Sequence, residues 1–412
     1  MNFDLNFATN PALVAFQDEV HTWLEENAPR DVPRSADPIL YTHEEFEWRR
    51  DIGRKLGAKG WLYPTFPSEY GGGGLDLDRA TIIQLALDEF RIPVPPYYNS
   101  GGPLAAASIL VWGTEEQKQF FVPPILRGET VTWQLLTEPQ GGSDLATVTT
   151  KATRDGDDYV INGQKVFVGG AYEFDYAWTI VNTDPLGPRH QNVSWIMVPA
   201  KSEGMTRQSL DLFTVHGAGE SPVGPKEAVF FDNVRVPAFN LVGGENNGWK
   251  VASTHLEYEH GGAGHLRNIW VLDEFFQYCK ETKFRGKSIS ENPDVRDILA
   301  DVWADYQVDK LLGLRTFWLH HTKRPMSYEG IQSTFYHRMF SLRTSQRIQQ
   351  ALGYFGLVSD PQWTPNEGRT EVFVRYGLGS LHGGGTHDTD RVIMSRRMGL
   401  GRNASESAGQ MV

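Results

Sequence analysis

The chain has 412 residues, 40% hydrophobic and 22% charged, with a formal net charge of −12. This is the composition of a globular protein long enough for several layers or domains. The acidic balance argues against general binding to nucleic acid or anionic membranes. No apolar run approaches the ~20 residues of a membrane helix, and a lone cysteine, Cys279, excludes a disulfide or thiolate cluster within the chain.

The N-terminal MNFDLNFATN has no basic segment followed by an apolar run, so the expectation is a cytoplasmic enzyme or binding protein. Residues 1–129 read as a helical domain. Leu13, Phe16, Val20, Trp23 and Leu24 recur at helix spacing behind an Asn10-Pro11 start signal, and Phe46–Leu56 and Ala80–Phe90 repeat the habit. Thr114 is the expected N-cap of a further helix, with Gln117 completing a capping box. Residues 130–245 read as an antiparallel β-domain. Val131–Leu136, Tyr159–Ile161, Lys165–Val168, Ala177–Val181, Val193–Val198 and Ala228–Phe231 are short β-branched and aromatic runs. Turn clusters such as Asp155-Gly-Asp-Asp and Asn162-Gly163 separate them. From 246 to 402 helices return, one of them opened by Asn292-Pro293-Asp294 and carrying Leu299, Val302, Tyr306, Leu311 and Leu314. Residues 403–412, rich in small polar residues, read as a loose tail. The fold class is therefore α+β, with an N-terminal helical domain, a middle β-domain and a C-terminal helical bundle.

The β-domain opens with Leu136-Thr-Glu-Pro-Gln-Gly-Gly-Ser-Asp-Leu145. A strand running into Pro-x-Gly-Gly exposes backbone N–H groups, and Thr137 and Ser143 add hydroxyls; such a set can cradle a planar heterocycle or a phosphate. The plain alternative is a strand-ending loop. This stretch closely resembles the signature of the acyl-CoA dehydrogenase flavoprotein family. Asp155-Gly-Asp-Asp-Tyr-Val-Ile-Asn-Gly-Gln-Lys165, Phe231-Asp-Asn-Val-Arg-Val-Pro237 and Val242-Gly-Gly-Glu-Asn-Asn-Gly-Trp249 are similar to later landmarks of that family. Pro67-Ser-Glu-Tyr-Gly-Gly72 and Gly113-Thr-Glu-Glu-Gln-Lys118 match its helical domain, and Gly383-Gly-Gly-Thr386 a loop before its last helix. The resemblance covers nearly the whole chain.

It implies FAD, held between the β-domain and the C-terminal helices with a second subunit contributing. No strand is followed by the Gly-x-Gly-x-x-Gly of a nicotinamide site. By this resemblance Gln134, Leu136, Thr137, Gly142 and Ser143 line the flavin and its pyrophosphate edge, with Ser143 also towards substrate. Phe167 and Gly169 lie against the ring, where relatives commonly carry Trp and then Thr or Ser. Arg285 takes the place of an arginine that reaches the pyrophosphate of a neighbouring subunit; a guanidinium suits that group, although a solvated residue in a basic run explains it equally. Gln350, in Gln349-Gln-Ala-Leu-Gly-Tyr-Phe-Gly356, and Gly385, Thr386 and Asp388 complete the implied cofactor contacts.

His255-Leu-Glu-Tyr-Glu-His-Gly-Gly-Ala-Gly-His265 packs three histidines and two glutamates around glycines. His260 and His265 are separated by ~140° around a helix and do not face one site. His255 and Glu259 are four apart and face one another, but two ligands without cysteine make a weak zinc case, so no metal is expected. Glu257 and Glu259 are ~200° apart and cannot serve one pocket. The plain alternative for the stretch is a solvated helix face. The resemblance implies instead that Glu259-His260 stands where a subset of relatives carries Glu-Arg, that Glu being the catalytic base. Other members carry the base in the late loop, where this chain has Gly384. Tyr258 and Gly262 are then expected beside the substrate, with the backbone N–H of Gly384 as a donor to its carbonyl.

The expected activity is FAD-dependent α,β-dehydrogenation of an acyl-CoA thioester, with Glu259 taking the α-proton and flavin N5 the β-hydride. The late Gly-Gly-Gly-Thr, Met398-Gly-Leu-Gly-Arg402 and the early glutamate look similar to bacterial dehydrogenases of steroid side-chain CoA esters, which makes the expected substrate bulky. The expected partners are the acyl-CoA substrate, an electron-transfer flavoprotein as acceptor and the other subunits of a homotetramer, or of a heterotetramer with a related subunit. Two alternatives stay open: a flavin oxidase or monooxygenase on the same fold, and a non-catalytic subunit of a heteromeric dehydrogenase.

Overall fold

The computed structural model describes residues 10–28, 42–92, 101–169, 172–210, 212, 226–261, 269–358, 360 and 368–400. These fall into two compact units, one holding the described residues up to Glu259 and the other those from His260 onward.

In the first unit the helix starts follow their local signals. α1 (Pro11–Asn27) begins with Asn10 accepting from the N–H of Ala12. α2 (His43–Ala58) is capped by Thr42 and α3 (Leu77–Glu89) by Asp76. α4 (Gly102–Trp112) leads into α5 (Glu115–Leu126), where Thr114 and Gln117 form the expected capping box. These caps satisfy N–H groups that the first helical turn leaves unpaired.

The strands are β1 (Thr132–Leu135), β2 (Lys151–Asp155), β3 (Asp158–Val168), β4 (Tyr176–Asn182), β5 (Val193–Pro199), β6 (Met205–Ser209), β7 (Glu227–Pro237) and β8 (Leu241–Val242). They form one sheet in the order β6-β7-β3-β2-β4-β5-β8, with β1 on β4. Most pairs are antiparallel as expected, but β1 runs parallel to β4 and β2 meets β4 in parallel at one end. Two expected strands, Tyr159–Ile161 and Lys165–Val168, are one. Asn162-Gly163 is not a turn but a bulge within β3, where the register against β7 shifts. Gly163 has φ +145°, and a Cβ there would stand 2.7 Å from the Cα of Thr150; only glycine allows that approach.

The core of this unit runs through both helices and sheet and includes Phe46, Trp133, Trp178 and Trp195. α6 (Gly248–Gly261) lies on the sheet through a stripe of Gly248, Val251, Ala252 and His255. Its start sits directly on β5, because a Cβ at Gly248 would stand 2.5 Å from the carbonyl oxygen of Val193.

In the second unit α7 (Trp270–Glu281) precedes a small hairpin of β9 (Lys283–Phe284) and β10 (Lys287–Ser288) that the sequence reading did not anticipate. α8 (Pro293–His321) starts at its predicted Asn292 cap. Val302 and Tyr306 are buried on it, while Leu311 is exposed. α9 (Glu329–Leu352), α10 (Arg369–Gly379) and α11 (His387–Arg397) complete the bundle. No helix among the described residues is long and apolar enough to cross a membrane.

Candidate active site

In the first unit, parallel pairing places Gln134 of β1 beside Trp178 of β4, so both side chains leave the same face of the sheet. Trp195 of β5 reaches that face one step along and stacks on Trp178 with ring centroids 4.7 Å apart. α6 crosses above them. The Trp195 indole N–H donates to the carbonyl of Gly248 (2.9 Å), anchoring the start of the helix. Two turns later the fully buried imidazole of His255 packs on Trp195, 4.6 Å between centroids. The Trp178 indole N–H donates to His255 Nδ1 (3.1 Å).

Glu259, one further turn along, has its carboxylate 24% exposed. Its Oε2 lies 3.6 Å from His255 Nε2. The amide nitrogen of Gln134 is 3.4 Å from both carboxylate oxygens and 3.1 Å from His255 Nε2. Glu257 faces solvent, so the two glutamates diverge as helix geometry requires. Tyr258 is 41% exposed, with its ring 5.6 Å from that of Phe66. Gly262 lies outside the described residues, as does the side chain of His260.

The 136–143 loop leaves β1 just beyond Gln134 and is clamped by a buried ion pair. Glu138 accepts from Lys165 Nζ (2.8 Å), from the N–H groups of Thr149 (2.6 Å) and Thr150 (3.0 Å), and from the Thr149 hydroxyl (2.9 Å). Burial favours its neutral form, but Lys165 and these donors outweigh burial and hold the carboxyl well below its usual range. Burial pushes the Lys165 ammonium down, against the pull of Glu138. Lys165 also donates to the carbonyl of Leu136 (3.2 Å), and the N–H of Val166 to that of Thr137 (2.9 Å). Leu136, Thr137 and Phe167 are thereby brought to adjacent stretches of backbone. Ser143 is exposed, and a Cβ at Gly142 would stand 3.1 Å from Thr137 Cγ2.

Phe167 has φ +60° at a second irregularity of β3 and is 54% exposed. Gly169 has φ +87°, and a Cβ there would stand 2.7 Å from the Trp133 ring. Position 169 therefore has no room for the Thr or Ser expected of relatives: the indole of Trp133 takes the space.

The second unit carries the remaining predicted residues. Arg285 is exposed at the tip of the β9–β10 hairpin, with φ +54° and its guanidinium 5.2 Å from the Phe284 ring centroid. Gln350 is exposed near the end of α9. The late loop is shaped by Arg338 of α9, a residue that sequence reasoning missed. Its guanidinium donates to the carbonyls of Gly383 (2.6 Å), Gly384 (2.8 Å), Gly385 (2.6 Å) and Ser380 (3.3 Å). Its Nε lies 3.0 Å from Asp390 Oδ2. C=O and N–H point oppositely in a trans peptide, so the N–H groups of Gly384, Gly385 and Thr386 face away from the guanidinium. Left-handed φ angles of +66° and +94° at Gly384 and Gly385 make this arrangement possible. Thr386 caps α11 by accepting from the N–H of Thr389, and Asp388 is 77% exposed in its first turn.

Sequence spacing placed His255 and Glu259 on one face, but only as candidate metal ligands. The partner of His255 is Trp178, a distant residue on a different strand, which no local pattern reveals.

Family models match the chain in three successive parts. The acyl-CoA dehydrogenase N-terminal domain matches residues 10–129, the middle domain residues 134–234 and the C-terminal domain residues 246–399. The acyl-CoA dehydrogenase FadE29 of Mycobacterium tuberculosis is 33% identical over 64% of this chain, and the match spans 66% of its length, just under two thirds. A solved structure described as the Tcur3481-Tcur3483 steroid ACAD is similar at TM-score 0.79 and 28% identity, covering 97% of this chain and 99% of that one. The ChsE4-ChsE5 complex from Mycobacterium tuberculosis is similar at TM-score 0.77 and 27% identity, covering 95% and 98%. With all three domain models matched in order, the chain belongs to the acyl-CoA dehydrogenase family.

Proposed function

We propose that this chain is an FAD-dependent acyl-CoA dehydrogenase that introduces an α,β double bond into a CoA thioester, with Glu259 as the base. One observation carries the reading: Glu259 presents a partly exposed carboxylate above a buried, hydrogen-bonded support, next to the strand that leads into the 136–143 loop. A carboxylate held on a rigid support meets the positional demand of proton abstraction from carbon.

The residues present fit a flavin dinucleotide. The Thr137 and Ser143 hydroxyls, the Gly142 backbone and the exposed Phe167 ring supply donors and an aromatic face on neighbouring backbone. Gln134, Leu136, Gly169, Arg285, Gln350, Gly385, Thr386 and Asp388 are assigned to the same cofactor by the resemblance. Bound FAD supplies the acceptor for the β-hydrogen. The chain's own residues do the rest. Glu259 takes the α-proton and becomes a carboxylic acid. The resemblance assigns to the N–H of Gly384, turned away from the Arg338 guanidinium that holds the neighbouring carbonyls, the role of donor to the thioester carbonyl as negative charge develops on it.

Two structural relatives are a steroid ACAD and the two-component ChsE4-ChsE5 complex. They support a bulky, steroid-like acyl group as substrate and a second, related subunit as partner; the electron-transfer flavoprotein as acceptor rests on the family resemblance alone. Glu259→Gln tests the assignment: the variant should purify yellow yet leave its flavin oxidised when mixed anaerobically with a CoA ester that bleaches the parent. Full bleaching by the variant refutes it. A colourless parent protein would mark a non-catalytic subunit instead.

A further inference from the structure

We propose that His255 is a positioning residue for the base: Trp178 fixes it as a neutral imidazole whose single proton sits on Nε2 and is presented to the Glu259–Gln134 pair. The inference rests on the reading of Glu259 as the base.

An indole nitrogen can only donate. With the Trp178 N–H on His255 Nδ1 at 3.1 Å, that nitrogen must offer a lone pair, and the proton of the neutral ring lies on Nε2. An imidazolium would set one N–H against another in a fully buried site between two indoles, with the desolvation cost that this implies. Nε2 is the atom that faces Glu259 Oε2 (3.6 Å) and the amide nitrogen of Gln134 (3.1 Å), whose place the amide oxygen takes on rotation. The histidine therefore works in one direction only, as a donor.

The amide of Gln134 is the member that adapts, since its oxygen and nitrogen exchange places by rotation. In the place shown, its NH₂ is 3.4 Å from both oxygens of the ionised carboxylate and donates to it beside the His255 N–H; the 3.1 Å approach of this nitrogen to His255 Nε2 is donor against donor and is relieved when the amide turns over. Its oxygen accepts from His255 and from the carboxylic acid formed once the α-proton has arrived. Both protonation states of Glu259 thus keep hydrogen-bond partners while the carboxyl group stays in place, and the imidazole itself exchanges no proton with substrate.

Asparagine and glutamine at position 255 separate this role from packing. An Asn amide reaches the place of Nδ1, so it can accept from Trp178 but offers nothing to Glu259. A Gln amide reaches the place of Nε2 and keeps the donor. The assay is α-hydrogen exchange into D₂O on the flavin-loaded enzyme, with a CoA ester whose β-carbon carries no hydrogen, so that proton removal is read without oxidation. His255→Asn should lose on the order of 10- to 100-fold in exchange, and in kcat with an oxidisable CoA ester, the range of one hydrogen bond to a charged group, with KM changed less than about threefold. His255→Gln should recover most of the loss. Equal impairment of both variants, or parent-like exchange in His255→Asn, overturns the proposal.

A second measurement does not depend on either variant's activity. In ¹⁵N-histidine-labelled enzyme, with His255 assigned by its disappearance in His255→Gln, Nδ1 should resonate as unprotonated and Nε2 as protonated; the reverse tautomer or an imidazolium overturns it. Exchange that persists in Glu259→Gln would instead remove the assignment of the base and leave the tautomer measurement standing.

Discussion

Replacing Lys165 by Met removes one partner of an ion pair whose side chains are 0% and 1% exposed at 2.8 Å. Breaking a buried pair costs about 3–5 kcal/mol, because the surviving charge loses its compensation. Here the surviving carboxylate keeps the N–H groups of Thr149 and Thr150 and the Thr149 hydroxyl, which puts the expected loss near the lower end, about 3 kcal/mol. For a unit of this size that corresponds to a fall of roughly 6–12 °C in the melting temperature. Glu138→Gln should cost a similar amount. The double variant Glu138→Gln/Lys165→Met should lose about 2 kcal/mol less than the two singles summed, since no unpaired charge remains.

Acid adds a signature. Burial would raise the Glu138 carboxyl, but Lys165 and the hydrogen bonds bring it to about 2 from the ordinary 4.5. Its stabilisation is therefore complete above the ordinary carboxylate range and is lost as pH falls towards about 2. Lys165→Met should flatten that acid loss. Denaturant melts at pH 7 and pH 3 check these statements. A Lys165→Met variant within about 1 kcal/mol of the parent at pH 7, or simple additivity in the double, refutes the reasoning. Because the pair fastens the 136–143 loop, the singles should also release flavin faster on dilution.

Two other substitutions read the surroundings of residues proposed for cofactor and substrate. Gly169→Ser, which restores the hydroxyl expected of relatives, should destabilise by about 2–4 kcal/mol, because φ is +87° and its Cβ would press on Trp133; a neutral effect in a thermal melt would refute the steric account. Arg338→Lys replaces a fork that donates to four carbonyls by a single ammonium. Amide exchange at His387, whose N–H donates to the carbonyl of Leu381 (3.0 Å) across this loop, should then accelerate by more than about tenfold, and unchanged protection would refute the role given to the guanidinium.

What the sequence made legible was the chemistry that acts locally. Asn10, Thr114 and Asn292 cap the helices they were expected to start, because a cap is decided within three or four residues. Asn162-Gly163 misled, since the same pair that makes a hairpin turn also makes a bulge. The choice was settled by β7 and Thr150 across the sheet, not by the pair itself. β6 was not anticipated either. Its residues Met205–Ser209 are partly or fully exposed and lack the buried alternation by which strands are recognised. The proposal for position 259 came from ordered motifs, but its environment could not. Gln134, Trp178 and Trp195 come from three strands whose pairing order no local spacing reports.

The departure at 169 follows from the same distinction between local and long-range constraint. Read along the chain, Gly169 is a missing hydroxyl. In the fold it is one half of a volume exchange, because the Trp133 indole occupies the space that a side chain at 169 would need. That indole is itself fixed, stacked on Phe174 with 4.3 Å between centroids and covered by the guanidinium of Arg207, which pairs with the buried Glu227. A close-packed interior cannot take a side chain at 169 while this stack stands. Nor can Trp133 be cut back without leaving a cavity beneath the β3 bulge. The glycine and the tryptophan therefore constrain each other. A redesign of this site has to change them together, with Phe174 and Arg207 repacked around them.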